Sequence, residues 1–193
     1  PYHLGRYIDL YTVSAHKIGG SRGAAGLIRK KSVNFRPLVY GGGQEKGLRS
    51  GTENLFAIKQ FEYAAEKKYR ELEGNLVRIS EYNRYFRENL RPDLFAVLSA
   101  TQASPYILSV SAKGLRGEVL LHMLDDAGVI VGTGSACSSK NRYSRVILAC
   151  GVGEKIADGV LRISFSSQNT LEEVQRAVEI LNRCAGQLAE KMR

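Results

Sequence analysis

One lysine lies where the chain could bind a ligand covalently. Lys17 follows an apolar, β-rich run (residues 8–14) and precedes a glycine-rich run (residues 19–26). A lysine amine at the end of a buried strand is partly dehydrated and becomes a better nucleophile, and glycines let the backbone approach a ligand closely. Ser14 and His16 flank this lysine and can donate hydrogen bonds to an anion. The alternative is an exposed lysine beside a glycine turn.

One cysteine lies in a segment whose side chains are too small to pack a core. Cys137 is surrounded by Gly, Ser, Ala and Thr within residues 131–141. Its thiolate would be a nucleophile held out to do chemistry. Composition alone leaves open whether Cys137 is reactive or only fills a loop. Cys150 and Cys184 are predicted to be small buried hydrophobes.

The glycine-rich run after Lys17 fits neither of two common phosphate-binding motifs. The P-loop places its lysine after the glycines, whereas here the lysine comes first. The dinucleotide-binding fingerprint is GxGxxG, whereas residues 20–26 read GSRGAAG. The sequence therefore argues against nucleotide binding through either motif.

These segments are positioned by an alternation of strand and helix patterns. Short β-rich runs predict strands, and apolar residues at steps of three and four predict helices. Strands are predicted at residues 8–14, 26–31, 106–112 and 160–167, and short helices at 117–128 and 144–151. This alternation indicates an α/β or α+β architecture.

A long amphipathic helix is predicted in the middle of the chain. Its pattern runs from about Thr52 to residue 90, and Ser50 and Glu53 have the spacing of a capping box. Gly74 is predicted to be a kink and a domain boundary. Pro92 ends the helix.

The last helix begins with a second capping box. Thr170 and Glu173 have the required spacing, and the helical pattern continues to about Leu188. One apolar stripe is predicted to face the core, formed by Val174, Val178, Leu181, Ala185 and Leu188.

Composition and charge restrict the class of protein. The chain has 193 residues and a net charge of +9, nearly all of it within residues 1–92. Basic and acidic residues are mixed there, so a solvated face or a pocket for an anionic ligand is favoured over nucleic-acid binding. The cysteines and histidines lack the spacing of a metal site or a disulfide framework. Apolar stretches are too short to span a membrane, and a reducing, cytoplasmic location is predicted.

Four motifs, in this order, resemble the cysteine desulfurases. They are SAHK with its glycine turn (14–17), GGGQEKGLRSGTEN (41–54), GSACSS (134–139) and LRISF (161–165). Cysteine desulfurases are pyridoxal-phosphate (PLP) enzymes of the aspartate-aminotransferase fold. The resemblance covers nearly the whole chain, but only about the C-terminal half of the family's length.

The resemblance implies a set of cofactor-binding residues. Lys17 would bind PLP covalently, and Ser14 and His16 would contact its phosphate. Thr52 would reach the phosphate held by the other subunit of a homodimer. The family's remaining PLP contacts would lie before Pro1. We therefore expect an incomplete cofactor site, weak PLP binding and little or no activity from this chain alone.

The resemblance also implies an activity. Arg162 would clamp the α-carboxylate of L-cysteine, because a guanidinium fork suits a carboxylate. PLP would act as the electron sink and Lys17 as the proton carrier. Cys137 would take the substrate sulfur as a persulfide, releasing L-alanine, and pass it to a sulfur-acceptor protein. The small residues around it would make its loop mobile, so that the thiol reaches both substrate and acceptor. Iron–sulfur cluster assembly, tRNA thiolation and thiamine synthesis are open destinations for this sulfur.

The implied fold is a fragment of a fold type I PLP-dependent α/β transferase. Residues 1–75 would end the large PLP-binding domain, including its linking helix, and residues 76–193 would form the small α+β domain that carries the cysteine loop. Strands of the first part are expected to have exposed edges that can pair with another copy. Two alternatives stay open: a non-catalytic sulfur-relay or binding module on the same fold, and a selenocysteine lyase.

Overall fold

The computed structural model describes residues 7–133 and 144–192. The chain folds into two compact units. The first unit is Pro1–Glu73 and the second is Gly74–Arg193. Cys137 lies outside the described residues. The assignment of these units to the large and small domains of a PLP enzyme stays a prediction.

The first unit contains a two-stranded hairpin and a helix. Strand β1 (Leu10–Ser14) pairs antiparallel with β2 (Ala25–Arg29). A short 3-10 helix, Ala15–Lys17, follows β1 directly, and a second one lies at Gln44–Gly47. Helix α1 spans Leu55–Arg70. The strands and the helix therefore lie close to their predicted positions.

A glycine allows the hairpin to pack against α1. A Cβ atom added to Gly26 would lie 3.5 Å from the Phe61 ring and 3.3 Å from Val13 Cγ1. The apolar side chains buried in the described part of this unit are small: Ala15, Ala57 and Ala64. The predicted burial of β1 is wrong, since Leu10 is 48% exposed. In the described part of this unit, the hairpin with one helix against it also leaves Leu27 and Ile28 of β2 exposed.

The long amphipathic pattern forms two helices rather than one. Helix α2 spans Leu72–Asn89, so the break after α1 lies at Glu71 and not at the predicted kink, Gly74. Gly74 lies within α2, and beyond its chain neighbours and the helix's own backbone no described atom comes within 4 Å of a Cβ added there. A glycine with open space around it can continue a helix, although alanine would favour the helix more.

The start of α1 also differs from the predicted capping box. Asn54 is the N-cap, and its side-chain oxygen accepts the N–H of Ala57 at 3.1 Å. Ser50 is buried instead, where its hydroxyl donates to the carbonyl of Val39 at 3.1 Å. Ser50 thus closes the glycine-rich loop, and Asn54 caps the helix in its place.

The second unit contains a three-stranded antiparallel sheet with order β3-β4-β5. The strands are β3 (Phe95–Val97), β4 (Ile107–Ala112) and β5 (Val160–Ser164). Besides α2, the helices are α3 (Gly117–Asp126), α4 (Arg145–Ala149), α5 (Glu154–Ala157) and α6 (Leu171–Lys191). β3 and α5 were not predicted, because three or four residues are too few to show a periodicity.

An apolar core lies between this sheet and the longer helices. Leu108 of β4 and Leu161 of β5 are fully buried and lie on the face of the sheet that packs into the core. Phe86 of α2 meets Phe165 edge-on, with ring centroids 5.6 Å apart. Helices against an antiparallel sheet are the α+β arrangement that the sequence predicts for this part of the chain.

Polar side chains of α2 hold the connection between β3 and β4. Arg87 donates to the carbonyls of Ser99 at 2.9 Å and Ala100 at 3.2 Å. Its Nε also donates to the side-chain oxygen of Asn83 at 2.6 Å, and Asn83 donates to the carbonyl of Pro105 at 2.9 Å. Asn83 is buried and both ends of its amide are thereby satisfied.

Helix α6 begins with the predicted capping box. The Thr170 hydroxyl accepts the N–H of Glu173 at 3.2 Å, and the Glu173 carboxylate accepts the N–H of Thr170 at 3.0 Å. The predicted apolar stripe is buried, with Leu188 half-buried at its end. In the part of the chain that the structure describes, no helix is long and apolar enough to cross a membrane.

Replacing Glu173 with glutamine should make folding stability depend less on pH in the acid range. The N–H of Thr170 and the amide of Asn169 hold the pKa of this carboxyl below its ordinary value. A depressed folded-state pKa adds stability above the unfolded-state pKa, and this is lost as pH falls through the folded value. Glutamine keeps the capping hydrogen bond but does not titrate.

The measurement is thermal unfolding of the wild type and Glu173→Gln between about pH 6 and pH 3, a window that brackets the ordinary glutamate pKa. The difference in melting temperature should shift in favour of the variant as the pH falls. A difference that does not change with pH would contradict a depressed pKa for Glu173.

Candidate functional site

The first part of the candidate site is the 3-10 turn that ends β1. Ala15 is fully buried, its N–H donates to the carbonyl of Ala24 at 3.1 Å, and its carbonyl accepts the N–H of Gly20 at 2.9 Å. These bonds fix the turn and leave His16 and Lys17 exposed. The partial burial predicted for Lys17 is therefore absent in the described chain, because the strand before it is itself largely exposed.

The glycine turn after Lys17 has special backbone requirements. Gly19 and Gly23 have φ values of 95° and 99°, a region that glycine enters without steric cost. A Cβ added to Gly20 would lie 3.1 Å from that of Ala15. The Ser21 hydroxyl oxygen is buried and has no hydrogen-bond partner among the residues that the structure describes. This turn therefore presents an unused hydroxyl close in sequence to Lys17.

The loop that ends at Thr52 contains backbone strain. Glu45 and Lys46 have φ values of 51° and 57°, and non-glycine residues in this left-handed region cost about 1–3 kcal/mol each. Thr52 is exposed at the end of this loop. Two residues later, the Asn54 amide lies 3.3 Å from the position of a Cβ added to Gly23. The end of the loop thus abuts the glycine turn.

The second part of the candidate site lies on β5. Arg162 is half-buried, and Ser109 of β4 lies directly opposite it in the sheet. Gly132 pairs with Arg162 as an isolated β-bridge on the other side of β5. The N–H of Gly132 donates to the carbonyl of Arg162 at 3.0 Å, and the reverse bond is 2.5 Å.

The two parts lie in different units of the chain. The first unit brings Ser14, His16 and Lys17 together on one turn and holds Thr52, whereas the second unit holds Arg162. The loop that contains Cys137, predicted to be mobile, lies outside the described residues.

The remaining cysteines differ from each other. Cys184 is buried on α6, as predicted, with Sγ 3.9 Å from the carbonyl of Met123. Cys150 is exposed, so its predicted burial is wrong. It follows α4, a five-residue helix whose Val146 and Leu148 are themselves exposed. Apolar neighbours in the sequence did not reveal that this short helix lies at the surface.

Two residues beside Arg162 were missed as site residues. The sequence interpretation placed Gly132 in the flexible cysteine loop, but its backbone is paired with β5. Ser109 was only a polar position within a strand. The alternation of β4 indicates that Ser109 points away from the core, but the register that sets it against Arg162 comes from strand pairing.

The residues of the first turn fit a phosphate-bearing aldehyde such as PLP. The Lys17 amine can bond to a carbonyl carbon. His16 and Ser14 are donors on the same turn and suit a phosphate. The buried Ser21 hydroxyl adds a donor that the described residues leave unused.

Comparisons with known proteins agree with the sequence motifs. The chain is 37% identical over 178 residues to a NifS/IcsS protein homolog of Lactobacillus delbrueckii subsp. bulgaricus, covering 89% of this chain and 46% of the relative. It is 37% identical over 183 residues to cysteine desulfurase IscS 1 of Archaeoglobus fulgidus, covering 90% and 46%. The chain thus spans about half the length of the curated relatives it matches.

Solved structures show the same relationship in three dimensions. A NifS-like protein superposes with a TM-score of 0.86 at 32% identity, covering 97% of this chain and 49% of that one. A NifS-like protein from Rickettsia africae superposes with a TM-score of 0.82 at 30% identity, covering 93% and 48%. The predicted fold class and the resemblance to cysteine desulfurases are confirmed.

The family comparison agrees with both results. The model of the aminotransferase class-V family matches residues 6–177, which contain all the candidate site residues. The chain belongs to the aminotransferase class-V family.

Proposed function

We propose that this chain supplies the lysine, the carboxylate-binding arginine and the sulfur-carrying cysteine of a PLP-dependent cysteine desulfurase. The observation that carries the proposal is its 37% identity, across 90% of the chain, to a relative named cysteine desulfurase. The exposed turn that presents Lys17 between Ser14 and a glycine turn supports it. The substrate is L-cysteine and the products are L-alanine and a persulfide.

The first unit would hold the cofactor. Lys17 bonds to it, Ser14 and His16 donate to its phosphate, and Thr52 reaches the phosphate held by the other subunit of a homodimer. When bound, PLP supplies an electron sink for chemistry at the substrate Cα. The Lys17 amine, once released, accepts and returns the Cα proton. Its exposure in this chain leaves the amine accessible for both roles.

The second unit would bind the substrate and take its sulfur. Arg162 pairs with the α-carboxylate through two parallel hydrogen bonds. The Cys137 thiolate attacks the substrate sulfur, so that an S–S bond forms and the substrate C–S bond breaks. The electron pair of that bond goes to carbon, where a proton completes L-alanine. Cys137 then carries the persulfide.

The partners of the reaction also belong to this proposal. A persulfide must be handed to a thiol or another sulfur acceptor, so a sulfur-acceptor protein is expected, and iron–sulfur cluster assembly is one use for that sulfur. The location is proposed to be cytoplasmic, where thiols stay reduced.

The test uses the protein expressed from its entire reading frame, loaded with PLP and given L-cysteine. Cys137 should gain about 32 Da, one sulfur atom, as a persulfide, and L-alanine should accumulate. Cys137→Ser should abolish both. Cys150→Ser is the matched control, since this thiol is exposed but has no assigned role, and it should leave both unchanged.

Three outcomes would overturn the proposal in different ways. Sulfur on Cys137 without alanine release would favour the non-catalytic relay module. Alanine release from selenocysteine but not from cysteine would favour a selenocysteine lyase. A persulfide that survives Cys137→Ser and disappears in Cys150→Ser would assign the sulfur to the other cysteine.

A further inference from the structure

The guanidinium of Arg162 lies against a stretch of backbone that has no side chain. A Cβ atom added to Gly132 would lie 3.1 Å from Nη2, 3.5 Å from Cζ and 3.6 Å from Nε of Arg162. These are the three nearest heavy atoms, so the Arg162 side chain fills the space that a residue at position 132 would use. A contact of 3.1 Å is closer than ordinary carbon–nitrogen van der Waals contact.

Nothing in the backbone at position 132 requires a glycine. Gly132 is absent from the residues with positive φ, so an L-residue can adopt its conformation without strain. Its two hydrogen bonds to Arg162 are made by backbone atoms, which any residue other than proline can provide. The space taken by Arg162 is therefore what a side chain here would disturb.

The strand on the other side of Arg162 places a small residue opposite it. Ser109 lies directly opposite Arg162 in the β4–β5 pair, and directly opposed Cβ atoms in antiparallel sheets lie about 4.5–5.5 Å apart. Arg162 thus has a short serine side chain on one neighbouring strand and bare backbone on the other. The Nε of Arg162 is buried.

We infer that Gly132 is a positioning residue for Arg162. Because position 132 has no side chain, the guanidinium can occupy the place in which it binds a substrate carboxylate. This inference rests on the proposed function for the carboxylate, but the placement of the guanidinium can be measured without substrate. A larger residue at position 132 displaces the guanidinium, whereas the backbone bridge to β5 remains. The effect should grow with side-chain size, from alanine to valine.

The experiment follows the Arg162 Nε–Hε signal by NMR in the ¹⁵N-labelled chain, assigned by its loss in Arg162→Lys. In the wild type, the buried Nε should give a signal whose proton exchanges slowly with water. Sodium acetate and L-alanine are then titrated as carboxylate probes. Gly132→Val should speed the exchange, shift the signal and weaken carboxylate binding about tenfold, since small misplacements of a binding group are costly. Gly132→Ala should change all three less.

The matched control is Gly74→Ala, which adds the same methyl group in the same unit, at a position where it meets no described atom beyond its chain neighbours and its own helix backbone. It should leave the Arg162 signal and carboxylate binding unchanged. Unchanged Nε exchange and chemical shift in both folded Gly132 variants would overturn the positioning role. If Gly132→Val does not fold, Gly132→Ala decides by the same readout. If the wild-type Arg162 signal does not shift with either sodium acetate or L-alanine, the carboxylate-binding role proposed for Arg162 is wrong.

Discussion

Replacing Lys17 with alanine should lower alanine production from L-cysteine by about a hundred- to ten-thousand-fold, the range for loss of an acid–base group. The protein is expressed from its entire reading frame. The Lys17 amine is proposed both to hold PLP and to carry the substrate proton, and a methyl group can do neither. A second readout is independent of turnover: borohydride reduction should leave the pyridoxyl group on the peptide that contains Lys17, and this label should vanish in the variant.

The control for Lys17 is another exposed lysine of the first unit. Lys31 lies just after β2 and is exposed, as Lys17 is. Lys31→Ala should keep both the label and the activity. If Lys17→Ala retains the pyridoxyl label at another lysine together with normal turnover, the assignment of the cofactor lysine is wrong. If the label is lost from Lys17→Ala but alanine production persists, Lys17 holds the cofactor and the proposed proton-carrying role is wrong.

Replacing Gly159 with alanine should destabilise the second unit by about 3 kcal/mol, the upper part of the usual range for overpacking. An added Cβ would lie 2.1 Å from the carbonyl oxygen of Ala112 and 3.0 Å from that of Leu115. Both are backbone atoms and cannot rotate away. The N–H of Ala112 also donates to the carbonyl of Gly159 at 2.9 Å, so relieving the clash would stretch this bond. Urea unfolding followed by circular dichroism measures the effect.

Gly74→Ala is the matched control, because it makes the same change at an open position. Glycine within a helix is less favourable than alanine by about 0.5–1 kcal/mol, so this variant should be slightly more stable than the wild type. A Gly159→Ala protein with an unchanged unfolding midpoint would show that the backbone around Ala112 can move. Equal losses in both variants would indicate a general cost of adding a methyl group.

Features that depend on neighbouring residues could be predicted from the sequence. The capping box of Thr170 and Glu173 forms as predicted, because both partners lie within one turn of helix. Gly128 ends the helical segment that includes α3, with φ at 83°, and its N–H donates to the carbonyl of Asp125 at 2.9 Å. Strands β1, β2, β4 and β5 also follow their apolar patterns. Each of these signals is local in the chain.

Features that depend on distant residues were missed or placed wrongly. Ser50 was predicted to cap the helix, but its hydroxyl donates to the carbonyl of Val39, and Asn54 caps α1. The strand β1 looked buried, because an apolar run does not say whether another element covers it. Cys150 looked buried for the same reason. Whether a strand is buried by another element, and which of two partners a hydroxyl bonds to, are properties of the folded chain.

Motifs along the chain were sufficient to identify the family and the residue types of the candidate site: Lys17 before a glycine turn, Cys137 among small residues and Arg162 within a strand. The surroundings of Lys17 and Arg162 became known only from the folded chain. It leaves Lys17 exposed on its turn, and it sets Arg162 between Ser109 and Gly132. The reason is physical: motif spacing is fixed along the chain, whereas strand register and burial arise from pairing and packing between distant segments.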